Sequence, residues 1–181
     1  SGRVYPDALG DAFTRLSPVL RDFHEARSHA IWAGRATVRG GTNKASRAIA
    51  ALFGFPAAQG DVPVTVRVVQ QDGHETWLRD FGGARFQSQH RACVGRWSGC
   101  VEERFGPVRF RIATVERDGQ LQLVMQGWSF LGVPLPRALM PRSRVSERQE
   151  GSAFVFDVEV SLPLLGRLIH YVGMLEPPAA G

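Results

Sequence analysis

From Val62 onward the apolar residues recur at every second position. Val62, Val64, Val66 and Val68 share one parity; Phe110 with Ile112, Leu121 with Leu123 and Met125, and Phe154, Phe156, Val158 and Val160 repeat it. A period of two belongs to half-buried strands. Turn pairs punctuate the runs: Asp72-Gly73, Gly82-Gly83, Gly106-Pro107, Asp118-Gly119 and Glu150-Gly151. Strands joined by such tight turns are antiparallel neighbours. Before Val62 the period is helical. Pro6-Asp7 opens a helix with Leu9, Phe13 and Leu16 on one face, and Ser17-Pro18 reads as an N-cap and N1 pair ahead of Val19, Leu20 and Phe23. Together they make a helical brace from Asp7 to Ala26. Ala30 to Arg39 alternates weakly as a first strand. Thr42 or Asn43 caps a helix from Lys44 to Phe53, with Ile49, Leu52 and Phe53 on one side and Gly54 at its C-terminal stop. The expected fold is mainly β with added helices (α+β). A curved antiparallel meander of about nine strands forms a barrel or half-barrel, and the N-terminal helices cover one side. Residues 1–176 read as one domain and 177–181 as a disordered tail.

The turns also fix which residues face each other. With two-residue turns, Val68 faces Trp77, Val66 faces Arg79, Trp77 faces Ser88 and Arg79 faces Phe86. Placing Cys93 against Cys100 sets His90 opposite Glu103, and the next turns set Glu103 opposite Phe110, Ile112 opposite Met125 and Phe110 opposite Gly127. These registers put Asp80 against Arg85, and Glu102 against Arg91 and Arg111, on the other face, as opposite charges prefer. They also place Glu75, Arg79, His90 and Glu103 on the apolar, inner parity, with Glu75, His90 and Glu103 in a row across three strands. His170 shares a parity with Leu168, Val172 and Met174 and joins this inner set. A buried unpaired charge costs several kcal/mol, so these groups either pair inside a cavity or lie at a wet rim.

A histidine between two carboxylates suits general acid–base work, and an arginine beside it suits a ligand carboxylate or enolate oxygen. Glu103, His90 and Arg79 are therefore the candidate catalytic residues. Glu75, Trp77, Phe81, Phe86, Phe105, Phe110, Met125 and His170 are the candidate ligand-binding ones. The plainer alternative is a structural Arg79–Glu103 pair, with Glu75 and His90 facing solvent at the rim.

The 181 residues, 44% hydrophobic and 22% charged, suffice for one core without a metal or disulfide scaffold. Cys93 and Cys100 are too few for a structural zinc site and read as reduced thiols. No metal and no cofactor is expected, since neither a dinucleotide fingerprint nor a P-loop occurs. The net charge is +5, and all the basic residues but Lys44 are arginine. Those arginines alternate with acids and apolar residues, so nucleic acid is not expected as a partner. No run is apolar and long enough to span a membrane and no secretory leader is visible, which points to a cytoplasmic protein. Ser1-Gly2 has the look of a tag remnant. His24 reads as a helix-surface histidine. The apolar stretch Trp128 to Pro141 reads as core packing, with a lid or a docking patch as the alternatives.

Several strings together resemble a known family. They are Leu52-Phe53-Gly54-Phe55-Pro56, Trp77 through Gly83, Glu103-Arg104-Phe105-Gly106-Pro107, Pro134-Leu135-Pro136-Arg137-Ala138-Leu139, and Leu164-Leu165-Gly166 leading to Tyr171 and Gly173. They resemble the bacterial family domain of unknown function 4166 over about Ala8 to Glu176. The resemblance implies a domain found alone or after a saccharopine-dehydrogenase-like NAD(P)-binding domain; it carries no catalytic residue and no reaction. Three readings stay open. The first is a cavity that binds a small, largely apolar ligand with a polar or acidic head near Arg79. The second is a cofactor-independent isomerase, cyclase or hydratase using the same cavity. The third is an interaction domain with a filled core. A cavity above ~300 Å³ reaching Arg79 and Glu103 favours the first two.

Overall fold

The computed structural model describes residues 2–25 and 30–178. Ser1, Ala26 at the end of the expected brace and the tail residues 179–181 lie outside the described residues. Every strand is antiparallel to its neighbours, as the tight turns demand. The strands are β1 (Ile31–Gly40), β2 (Gln59–Gln71), β3 (His74–Phe81), β4 (Ala84–Ala92), β5 (Cys100–Phe105), β6 (Val108–Arg117), β7 (Gln120–Phe130), β8 (Val133–Pro134), β9 (Arg142–Glu150), β10 (Ala153–Leu162) and β11 (Gly166–Glu176). Each pairs with the next in sequence, except that β7 pairs with both the short β8 and β9, and β11 pairs back onto β1. Ten strands thus close an up-and-down barrel, with β8 as an extra edge. Closure leaves no exposed sheet edge around the ring, which a long meander with one apolar face requires. The strand missed by the alternation is β9, whose sequence RSRVSERQE holds a single aliphatic residue, Val145.

The turn-derived registers hold: Val68 faces Trp77, Arg79 faces Phe86, His90 faces Glu103 and Glu103 faces Phe110. One slips. Phe110 faces Trp128 rather than Gly127, because a bulge between Arg111 and Ile112 adds one residue on β7. The rings of Phe110 and Trp128 then stack nearly parallel, with centroids 6.5 Å apart.

The helices α1 (Val4–Leu9) and α2 (Pro18–His24), joined by a 3-10 turn at Gly10–Arg15, plug one end of the barrel. Val4, Tyr5, Phe13, Leu20 and Phe23 are buried in the core there. Pro18 opens α2 as expected, but Ser17 does not cap it; its hydroxyl donates to the carbonyl of Gly119 at 2.9 Å and pins the plug to the β6–β7 turn. At the far end α3 (Lys44–Leu52) starts with a capping box, in which Asn43 Oδ1 accepts from the Ser46 amide at 2.8 Å. The expected apolar side of α3 is corrected: Ser46 and Ala50 are buried, and Leu52 is 85% exposed. Among the described residues no helix is long and apolar enough to cross a membrane.

Candidate functional site

A cavity of about 110 Å³ runs inside the barrel, from Tyr5 and Phe23 of the plug to Phe53, Phe55 and Pro141 at the far end. It reaches Arg79 and Glu103 but falls short of the ~300 Å³ that would favour the binding and enzyme readings over a filled core, so that criterion is not met. It still exceeds the ~10–15 Å³ that a single water needs by several fold. Its wall is aromatic and aliphatic. Of the candidate residues, Trp77, Phe81, Phe105, Phe110 and Met125 line it together with Arg79, His90 and Glu103.

The polar residues cluster because β3, β4 and β5 carry them at matched register positions on the inner face. His90 is central. Its Nε2 lies 3.0 Å from Glu103 Oε1 and 2.9 Å from Ser88 Oγ, while Nδ1 lies 3.1 Å from the Tyr5 hydroxyl. The Trp77 ring stacks on the imidazole at 4.6 Å with planes 2° apart, which fixes its orientation. Arg79 Nη1 donates to Ser88 Oγ at 2.9 Å, Nη2 sits 3.6 Å from Glu103, and the guanidinium lies over the Trp77 and Phe86 rings at 5.0 and 5.3 Å. Burial alone would raise the Glu103 carboxyl. The charge and hydrogen bond of His90, the charge of Arg79 and the Ser88 hydroxyl outweigh it and hold Glu103 down to about 2. Glu103 is therefore an anion at neutral pH, and Nε2 of His90 carries the proton that faces it. Nδ1 faces the Tyr5 hydroxyl. Burial, then the carboxylates of Glu147, Glu103 and Glu75, push the Tyr5 phenol well above its ordinary range.

The rim alternative for Glu75 and His90 is overturned, since both are buried, at 0% and 3% exposure. Glu75 does not line the cavity, however. It lies behind Trp77, accepting the indole N–H at 3.1 Å, and its other oxygen has no partner. Phe86 also stands behind the wall, stacked on Phe81 and supporting Arg79. His170 is absent from the lining. A bulge between Val160 and Ser161 takes up Leu168, so Tyr171 faces the cavity and His170 pairs with Asp157 at 2.9 Å, outside the lining.

Four polar residues escaped the sequence reading. Ser88 was legible, since it shares the parity of Phe86 and His90. Tyr5 sits one turn before Leu9, on a helix that starts earlier than Asp7. His24, read as a surface residue, is 1% exposed and bonds Glu147 at 2.6 Å, with its ring 4.0 Å from that of Tyr5. Glu147 shares the inner parity of Val145, a weak signal in a strand so polar. No group of three or more His, Cys, Asp or Glu residues placed to hold a metal ion occurs among the described residues.

No curated protein matches the chain. Its fold is similar to that of Rv2717c from M. tuberculosis, at 14% identity, TM-score 0.49 and coverage of 90% of this chain and 98% of that one. It is also similar to zebrafish ileal bile acid-binding protein crystallised with cholic acid, at 14% identity, TM-score 0.41 and coverage of 81% and 95%. The family model described as "Domain of unknown function (DUF4166)" matches residues 16–175, the span that holds the barrel and α2, and the chain belongs to that family.

Proposed function

We propose that the barrel binds a slender, largely apolar molecule whose acidic or polar head lies against Arg79. The observation that carries this reading is the guanidinium set into the cavity wall. It is held flat by Trp77 and Phe86 and bonded to Ser88, while its contact with Glu103 is a loose 3.6 Å. Arginine presents five N–H donors in a rigid fork, so a bidentate acceptor can add to Ser88 without displacing it. The narrow apolar channel favours a single alkyl chain or a flat ring over a bulky polycycle. The family resemblance supports a role as the substrate-holding module beside an NAD(P)-binding domain, in the cytoplasm.

Decanoate and decanol are suitable probes, because they differ only in the head group. Calorimetric titration is expected to show decanoate binding more tightly than decanol. Arg79→Met is expected to weaken decanoate by about 10–100-fold and to abolish the preference, the usual range for a hydrogen bond to a charged group. Equal affinity of both probes for the native protein removes the head-group reading. Native mass spectrometry of protein isolated from its own host names the resident molecule.

The Tyr5–His90–Glu103 relay favours a second reading, cofactor-independent proton transfer. Tyr5, which lines the cavity, would take a proton from the ligand as its own hydroxyl proton passes to Nδ1 of His90, and return it by the reverse path, while Glu103 holds the Nε2 proton. If the resident molecule is converted on incubation, Glu103→Gln and His90→Ala are each expected to slow conversion by about 100-fold or more. Unchanged conversion in both variants excludes acid–base work by this group.

A further inference from the structure

The two ends of the barrel differ in charge. Up-and-down topology gathers five connections at the end away from the plug: residues 41–58, the turns at Gly82-Gly83 and Gly106-Pro107, residues 131–141 and residues 163–165. They are tied to one another. Asn43 Nδ2 donates to the Leu165 carbonyl at 2.9 Å, the Thr42 amide to Arg167 O at 3.3 Å and the Leu131 amide to Pro107 O at 2.9 Å. This end carries Lys44, Arg47, Arg104, Arg109, Arg137, Arg142 and Arg167, yet residues 40–60, 104–109, 128–142 and 162–167 contain no acid at all. The nearest carboxylates in the adjoining strands are already held: Asp61 and Asp80 by Arg35 and Arg85 at 2.7 and 2.8 Å, and Glu102 by Arg91 at 3.0 Å, with Arg109 of this end 3.9 Å from the same oxygen. The plugged end is mixed: Asp7, Asp11, Asp72, Asp118 and Glu150 lie on the plug or at its turns, beside Arg3, Arg15, Arg21, Arg117 and Arg148.

The same basic end is apolar at its tips. Leu52, Leu131, Val133, Leu139 and Leu164 are exposed by 85%, 73%, 63%, 58% and 104%. They come from three separate connections. Single exposed leucines are ordinary; five such tips on one end, interspersed with cations that outnumber the acids there, are not. They surround the end of the cavity lined by Phe53, Phe55 and Pro141.

We propose that this end docks on an anionic lipid bilayer, with the leucine tips in the boundary between headgroups and acyl chains and the cations against the lipid phosphates. A bilayer fits better than the other polyanions or a protein. Nucleic acid would use the cations but leave the leucines in water. Separated tips on different loops offer no continuous groove for a peptide, whereas a fluid apolar layer accepts each tip independently. The docking surface stands whether or not the cavity is used. That docking loads the cavity from the bilayer rests on the binding function proposed above.

Flotation of the full chain with vesicles tests it. Binding is expected to vesicles of phosphatidylcholine mixed with phosphatidylglycerol, not to phosphatidylcholine alone, and is expected to weaken as salt rises. Lys44→Ser combined with Arg47→Ser is expected to lower the partition coefficient about 25-fold at low salt, or about fivefold per cation removed. Leu131→Ser combined with Leu139→Ser is expected to weaken flotation while leaving thermal unfolding and decanoate affinity in solution nearly unchanged, since both side chains are mostly exposed and neither lines the cavity. No flotation with the mixed vesicles overturns the proposal. So does flotation that neither double variant alters, or tighter binding to random duplex DNA than to the mixed vesicles at the same salt. Decanoate binding in solution is a separate readout, so a failed cavity function and a failed docking surface give different results.

Discussion

Acidification from about pH 5 to about pH 2 is expected to cost the folded protein about 3 kcal/mol through one side chain, Glu103. Its carboxyl is held at about 2, against 4.5 for an unperturbed glutamate. The sign follows from that depression. Above 4.5 both the folded and unfolded chains carry the anion, and the full stabilisation is present. As pH falls toward 2 the unfolded chain takes up a proton first, and the advantage drains away. Each unit of difference is worth about 1.4 kcal/mol, so a gap of some two and a half units holds about 3.5 kcal/mol, of which about 3 is lost by pH 2, where the folded carboxyl is half protonated. Three other carboxyls are also depressed: Asp61 by its bond to Arg35, Asp80 by its bond to Arg85 and Glu116 by the Gly119 amide. Asp61 and Asp80 are open to solvent, so added salt damps their share, whereas the Glu116 side chain is largely covered. Urea unfolding across this pH range, at raised ionic strength, checks the prediction by comparing the native protein with Glu103→Gln. The variant starts lower at neutral pH, because Arg79 and His90 keep their burial and lose the anion, and its stability is expected to fall less steeply with acid. Parallel curves would mean that Glu103 is solvated and that the inner cluster does not act as a unit.

That cluster was legible in the sequence because hairpin turns transmit register. Asp72-Gly73 and Gly82-Gly83 each count two residues and carry Glu75 and His90 into one row, and Cys93 placed against Cys100 adds Glu103, without any knowledge of the barrel. The same logic fails wherever the strands hold an extra residue. The bulge that sets Phe110 against Trp128 and the one that absorbs Leu168 have no turn residue to announce them, so His170 was carried inward by a parity that breaks before it. The plug fails for another reason. Helix periodicity says which face is apolar, but not which barrel residue the face meets. Tyr5 reaching His90, and His24 reaching Glu147, are contacts across 85 and 123 positions of sequence that only closure of the ring creates. Half of the polar site therefore comes from local rules and half from tertiary assembly.

Assembly in turn depends on how closely β1 and β11 approach, and Gly34→Ala is expected to lower stability by about 3 kcal/mol or more, beyond the upper end of ordinary overpacking. A Cβ at Gly34 would lie 1.8 Å from the carbonyl oxygen of Met174 and 2.8 Å from its carbon, which are main-chain atoms of the opposing strand. Neither strand can yield cheaply, since β1 is bonded to β2 on its other side and β11 to β10. In a chain of this size that loss appears as a fall in melting temperature of about 6–12 °C. Gly173 makes the useful contrast. Its added Cβ would meet the tip of Phe156 at 2.4 Å, with Ala36 Cβ and the Arg35 carbonyl oxygen at 2.8 and 2.9 Å. The ring tip can swing, and Phe156 lines the cavity, so it swings at the expense of cavity volume. Gly173→Ala is therefore expected to lose less stability than Gly34→Ala but more decanoate affinity than its own stability loss accounts for. Scanning calorimetry of both variants, with decanoate titration of Gly173→Ala, separates the two effects. Equal melting temperatures for Gly34→Ala and the native protein would mean that the first and last strands part easily, and that the width of the channel is set elsewhere than at this seam.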